Sequence, residues 1–235
     1  MDRRALKELE LLPLAQLYGL DRVARADVPA ASASPAASPG PTVQARHAAE
    51  EASWEELRLL VSQCRACGLC EKRQQAVFGV GPETAPWLFV GEGPGADEDA
   101  QGEPFVGQAG RLLDSMLAAI GCARGTDSYI ANVVKCRPPG NRTPTHEEAG
   151  ACAPFLDRQI DLLAPKLIVA LGKTAATRLL GTEASLASLR GRVHRYRGIP
   201  LVVTYHPAYL LRSLPDKAKA WEDLLLARRT LAAAA

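Results

Sequence analysis

The sequence has no long apolar run. Nothing in its 235 residues approaches the roughly 20 consecutive apolar positions that span a bilayer. The opening MDRRALKELELLPLAQL mixes acids with bases and has no secretory h-region. The expectation is a soluble, cytoplasmic chain with no membrane partner. Charge imbalance is also lacking: 28 Lys/Arg stand against 26 Asp/Glu, and a net charge of +2 argues neither for nor against nucleic acid. There is no internal repeat. Phosphate-binding loops are missing too. Gly172-Lys173-Thr174 resembles the end of a Walker loop, but the upstream glycine that loop needs falls at residue 167, which is Leu. This triplet is expected to be a plain strand-to-helix turn. The stretch GEGPGADED (residues 91–99) follows an apolar run, yet it lacks the GxGxxG spacing, and its four acids would repel a pyrophosphate.

What is present falls into three parts. Residues 1–25 form a leucine-containing segment, expected to be a short helical extension. Residues 26–46, ADVPAASASPAASPGPTVQAR, are Ala/Ser/Pro-rich with almost no large apolar side chains, as in a disordered linker. Residues 47–235 have globular patterning, in which apolar strand-like runs alternate with helical periodicity. Helices are expected near 53–65, 108–120, 145–163, 173–180 and 216–231, and strands at 87–92, 129–135, 166–171 and 200–205. Four strands separated by helices predict an α/β fold, a three-layer α/β/α sandwich around a four-stranded parallel sheet. In such sheets ligands bind beyond the carboxyl ends of the strands. That edge would bring together Glu92 and Gly93 after the first strand, Asn132 near the end of the second, and His206 after the fourth.

Two further features bear on chemistry. From Leu186 onward, nine Lys/Arg face three acids, a local excess of +6 that suits an anionic partner such as DNA. The six cysteines include Cys64-Arg65-Ala66-Cys67, a second CxxC formed with Cys70, and the distant Cys136 and Cys152. Two close thiolates plus two distant ones make a tetrahedral set for zinc or for a [4Fe–4S] cluster, and the spacing does not choose between them. Cys70 can substitute for Cys64 or Cys67 in such a set. Cys122, at the end of an apolar helix, is expected to be a buried thiol.

Four stretches taken together, CRACGLCEKRQQAVFGVG, GEGPGADEDAQGEPFVGQAGRLLD, NVVKCRPPGNRTPTHEEAGAC and TYHPAYLLR, resemble the family 4 uracil-DNA glycosylases, the iron–sulfur type of bacteria and archaea. The resemblance spans about residues 64–212 and leaves out the first 50. It implies a monomeric, prokaryotic, nucleoid-associated DNA-repair hydrolase. Such an enzyme flips uracil from single- or double-stranded DNA and hydrolyses the N-glycosidic bond, leaving an abasic site. It implies a structural [4Fe–4S] cluster on Cys64, Cys67, Cys136 and Cys152. His206 would donate to uracil O2 as a neutral imidazole, and Asn132 would read N3–H and O4. Phe105 would stack on the base, and the backbone at Gly91 and Gly93 would approach it. Glu92 would position water and stabilise the cationic sugar, with Glu98 assisting or excluding the thymine methyl. Family 1 enzymes carry Asp where this chain has Gly93, so the choice between Glu92 and Glu98 stays open. Tyr209 or Leu210 would fill the gap left by the base, and Arg212 would hold phosphate. Residues 1–25 would engage a replication or repair protein. The competing readings are a non-catalytic DNA-binding module of the same fold, an iron–sulfur redox protein, and covalent capture of the abasic sugar through His194.

Overall fold

The computed structural model of the chain describes residues 48–233. The helical extension expected at 1–25 and the linker at 26–46 lie outside the described residues. Helix α1, Trp54–Gln63, begins at Ser53. The Ser53 hydroxyl accepts from the Glu56 N–H, and the Glu56 carboxylate accepts from the Ser53 N–H at 2.8 Å, a reciprocal capping box. Strand β1, Trp87–Gly91, leads into the short helix α2, Ala96–Gln101, and then α3, Gln108–Ala119. Strand β2, Ser128–Asn132, is followed by α4, His146–Leu163. Next come β3, Leu167–Leu171, and α5, Lys173–Leu180. The one-turn helix α6, Leu186–Leu189, precedes the hairpin of β4, Val193–Tyr196, and β5, Ile199–Thr204. The one-turn helix α7, Pro207–Leu210, and α8, Asp216–Ala233, complete the order.

The sheet has five strands in the order β2-β1-β3-β5-β4. Pairs β1–β2, β1–β3 and β3–β5 are parallel, and β4 joins β5 antiparallel. The four parallel strands are those expected from the sequence, and β4 is an addition. Its burial alternates along VHRY, as suits an edge strand, and Tyr196 pairs with Ile199 across a two-residue turn. Arg197 and Gly198 both have positive φ (47° and 84°), the type I′ pattern that matches strand twist.

Strands β1, β2 and β3 are buried along their whole length, so alternate side chains feed two cores. Leu88, Val90, Ile168 and Ala170 pack with α1, α4 and α5 on one face. Trp87, Phe89, Val169 and Leu171 pack with α3 and α8 on the other. This arrangement leaves the carboxyl ends of four parallel strands on one edge.

Helix α4 carries Cys152 and is capped at Thr145, whose hydroxyl accepts from the Glu148 N–H. The Glu148 carboxylate accepts from the Thr145 N–H at 2.8 Å and from both Arg142 terminal nitrogens (2.8 and 2.6 Å). The Arg142 guanidinium, first among the causes, holds the Glu148 carboxyl below its usual range. Thr145→Ala is expected to lower unfolding stability by about 1 kcal/mol, read from the denaturant midpoint at unchanged m-value.

Candidate active site and cysteine site

One cleft at the carboxyl edge of the sheet is lined by Glu92, Phe105, Asn132, Thr174 and His206, with Gly93, Glu98, Tyr209 and Arg212 around them. The strand ends bring together side chains that are far apart in sequence. Asn132 is the last residue of β2 and is 2% exposed. Its Oδ1 is buried without a hydrogen-bond partner among the described residues. A buried acceptor left unpaired costs about 1–3 kcal/mol, so this oxygen is a ready partner for an incoming N–H. Gly91, in register with Asn132 on β1, makes room for it. A Cβ at Gly91 would collide with Asn132 Oδ1 and lie 2.6 Å from Phe105 Cζ.

Phe105 sits in the left-handed region (φ 57°), a costly conformation for a bulky residue. Its loop is clamped from two sides. Arg124 donates to the Pro104 and Phe105 carbonyls at 2.9 and 2.8 Å. Glu98 accepts from the Val106 and Gly107 N–H groups at 3.1 and 3.4 Å, and from the Gly95 N–H at 3.0 Å. The Glu98 carboxylate therefore joins the loop after β1 to the loop that presents Phe105. Asp99 is buried and accepts from the Gln74 N–H at 3.0 Å.

His206 precedes α7 and stacks against the Phe105 ring, with centroids 5.4 Å apart and planes 29° apart. Its Nδ1 accepts from the Ala208 N–H at 3.2 Å, which puts the ring proton of the neutral form on Nε2. Burial, followed by the nearby Arg212 charge, lowers its pKa to about 4. Glu92 follows β1, and its Oε2 accepts a hydrogen bond from the Thr174 hydroxyl. Sequence reasoning left Thr174 out of the site, because the failed phosphate motif was its only signal.

The segment after His206 divides differently from expectation. Leu210 is 1% exposed and packs in the core shared with α3 and α8 instead of on the surface. Its neighbour Leu211 is 40% exposed. Tyr209 is exposed, stacks on Tyr205 with centroids 5.1 Å apart, and donates to Asp216 at 2.6 Å. Of the nine basic residues near the C-terminus, Arg190, Arg197 and Lys219 are ion-paired with acids, which reduces the free positive surface.

The cysteines form a second centre. Cys64, Cys67, Cys70, Cys136 and Cys152 line one small apolar pocket between α1, α4 and the loop after β2. None is in a disulfide. Burial pushes the Cys136 thiol up to about 11 and the Cys152 thiol up to about 12, and neighbouring cysteines add to both shifts. Donors oppose this: Arg73 Nη1 donates to Cys136 Sγ at 3.0 Å, and the Lys135 backbone N–H donates to Cys152 Sγ at 3.3 Å. Sulfur donors that are costly to ionise alone, gathered with N–H groups aimed at them, suit a thiophilic metal centre. Among the described residues, no three His, Cys, Asp or Glu side chains close on a single ion. Cys122 is buried elsewhere, and its thiol is pushed up to about 12.

His206 is expected to stay neutral in the folded chain from about pH 8 to 5. Its folded pKa lies below the unfolded value. Its contribution to stability is therefore present above about pH 6.5 and is lost as pH falls toward about 4. Imidazole ¹⁵N NMR, assigned with His206→Asn, checks this. An Nε2–H tautomer that persists throughout agrees with the geometry, and a transition near pH 6.5 contradicts it.

A sequence model of the uracil DNA glycosylase superfamily matches residues 78–225. The chain is 47% identical over 171 residues to the Type-4 uracil-DNA glycosylase of Thermotoga maritima, covering 70% of this chain and 88% of that protein. It is 42% identical over 180 residues to the Type-4 uracil-DNA glycosylase of Pyrobaculum aerophilum (73% and 91% covered). The corresponding protein of Archaeoglobus fulgidus is 45% identical over 159 residues (64% and 79% covered).

Proposed function

The chain belongs to the uracil DNA glycosylase superfamily, and we propose from this premise that it excises uracil from DNA by hydrolysis of the N-glycosidic bond. The observation that carries the proposal is the unpartnered, buried Asn132 Oδ1 in the same cleft as the Nε2–H of His206. Uracil presents a donor at N3 and acceptors at O2 and O4. An amide oxygen for N3–H and an imidazole N–H for O2 meet that pattern, whereas cytosine has no proton at N3. The base leaves the duplex stack, enters the cleft and lies against Phe105.

As the bond breaks, negative charge gathers on the base and positive charge on the sugar. His206 serves as a neutral donor to O2. Its low pKa supports this role, because an imidazolium would need protonation that burial opposes. Glu92 supplies negative charge toward the sugar and orients the attacking water. Between the two acids, Glu92 is preferred, because both Glu98 oxygens are already committed to backbone N–H groups. Glu98 then acts on the reaction only by holding the Phe105 loop. Tyr209, the exposed Leu211 and Arg212 form the DNA-facing edge, with Leu211 in the place first assigned to Leu210.

Single-turnover excision of uracil from an oligonucleotide tests this reading. His206→Ala is expected to slow release by roughly 10²–10³-fold, and Glu92→Ala to reduce it strongly. DNA binding without base release in the wild type would identify a binding module instead.

For the cysteine site, Cys64, Cys67, Cys136 and Cys152 are proposed to hold a [4Fe–4S] cluster. The common pocket and the Arg73 and Lys135 donors support a metal site there, and the choice of Cys64 and Cys67 over Cys70 follows the family resemblance. The cluster would supply cross-linking of α1, α4 and the loop after β2, and no step of hydrolysis needs an electron. The purified protein is expected to contain iron and acid-labile sulfide in equal amounts and to absorb broadly in the visible. Cys152→Ser is expected to lose both and to unfold at lower temperature. Zinc without iron would overturn the assignment.

A further inference from the structure

We infer that the segment Gly172-Lys173-Thr174, which leaves β3 and opens α5, sets the catalytic geometry, with Thr174 the positioning residue for Glu92. This rests on the reading of Glu92 as the acid that faces water and sugar. A glutamate on a loop has three rotatable bonds, and its carboxylate is useful only in a narrow range of them. The Thr174 hydroxyl, in the first turn of α5, donates to Glu92 Oε2. Its Cα is fixed by β3 and by the helix, so it gives the carboxylate a rigid reference. Glu92 Oε1 has no hydrogen-bond partner among the described residues and is left for water.

The donor type matters. A lysine at this position would pair with Glu92 and offset the negative charge the sugar needs. A hydroxyl orients the carboxylate and leaves its charge intact. The neighbouring Lys173 is directed elsewhere, with Nζ 3.9 Å from Glu183. The same segment also reaches His206. Gly172 has φ +90°, its N–H donates to the Thr204 carbonyl at 2.8 Å, and a Cβ there would lie 3.0 Å from His206 Cβ. One segment thus holds Glu92 through a hydroxyl and admits His206 through a missing side chain.

The test compares Thr174→Val, Thr174→Ser, Thr174→Ala and Glu92→Ala in the full-length holoprotein. Maximal single-turnover rate, Kd for uracil-containing DNA and melting temperature are measured for each. Loss of the hydroxyl in Val or Ala is expected to lower the maximal rate by roughly 10-fold or more, with Kd within about twofold. Ser is expected to restore the rate to within about threefold of wild type. Adding Thr174→Val to Glu92→Ala is expected to cost nothing further, because the hydroxyl then has no carboxylate to hold. A normal rate in Val and Ala beside an impaired Glu92→Ala would overturn the inference alone. Equal losses in Val and Ser, or a loss confined to Kd or melting temperature, would also overturn it. A normal rate in Glu92→Ala would overturn the role of Glu92 beneath it.

Discussion

The site depends on one close approach, at the end of β1. Gly91 lies directly across from Asn132 in the parallel register, and the Phe105 ring reaches the same point from the loop before α3. Any side chain at residue 91 would occupy the space where the Asn132 oxygen and the ring meet. That absence allows a strand interior buried on both faces to end in a polar group with a flat aromatic surface beside it. The cost is borne locally. Phe105 takes an unfavourable φ, Asn132 Oδ1 goes unpaired among the described residues, and Arg124 and Glu98 hold the loop in place. Strain and an unpaired buried acceptor in one spot are the marks of a surface kept ready for a ligand.

Charge is distributed with the same economy. The acids of GEGPGADED do different things despite adjoining positions. Glu98 accepts from three backbone N–H groups and Asp99 from one, so both are joints between loops. Glu92 has one oxygen on a neutral hydroxyl and lines the cleft. In the same cleft His206 is kept neutral by burial and by the Arg212 charge. In the proposed excision, the neutral imidazole would face the leaving base and the Glu92 carboxyl the sugar.

Much of this was legible in the sequence, and the exceptions have physical causes. The four parallel strands announced themselves as short continuous apolar runs, and the placement of Glu92, Asn132 and His206 followed from the rule that sites lie beyond strand ends. The edge strand β4 was missed because VHRY is half polar and its turn uses Arg197-Gly198 rather than the Asn-Gly or Asp-Gly that signals a type I′ hairpin. Leu210 was misplaced because two adjacent leucines on a one-turn helix carry no periodicity to say which faces inward. Only the packing of α7 against α3 buries Leu210 and leaves Leu211 outside. The sequence favoured Glu92 over Glu98 for the water without a physical reason, and the reason now proposed rests on backbone N–H groups of residues 106 and 107, which carry no local signal. Thr174 was hidden by the resemblance of its triplet to a phosphate loop.

The cysteine pocket and the base pocket are not independent pieces of the molecule. Between Asn132 and Cys136 the chain runs for only a few residues, through Val133 and Val134, both fully buried. Lys135 spans the gap. Its N–H donates to Cys152 Sγ, while its buried ammonium donates to the Asn132 carbonyl at 3.0 Å and to Gln159 at 2.6 Å. Gln159 in turn donates to the Phe78 carbonyl and the Tyr129 hydroxyl. A lysine this deeply buried persists only where its protons are accepted, and here the acceptors are the strand end that presents Asn132 and the helix that carries Cys152. Fixing that helix and loop therefore fixes the backbone of Asn132 as well. The proposed metal centre, though no step of hydrolysis would use it, would close the far side of the frame in which Asn132 is held.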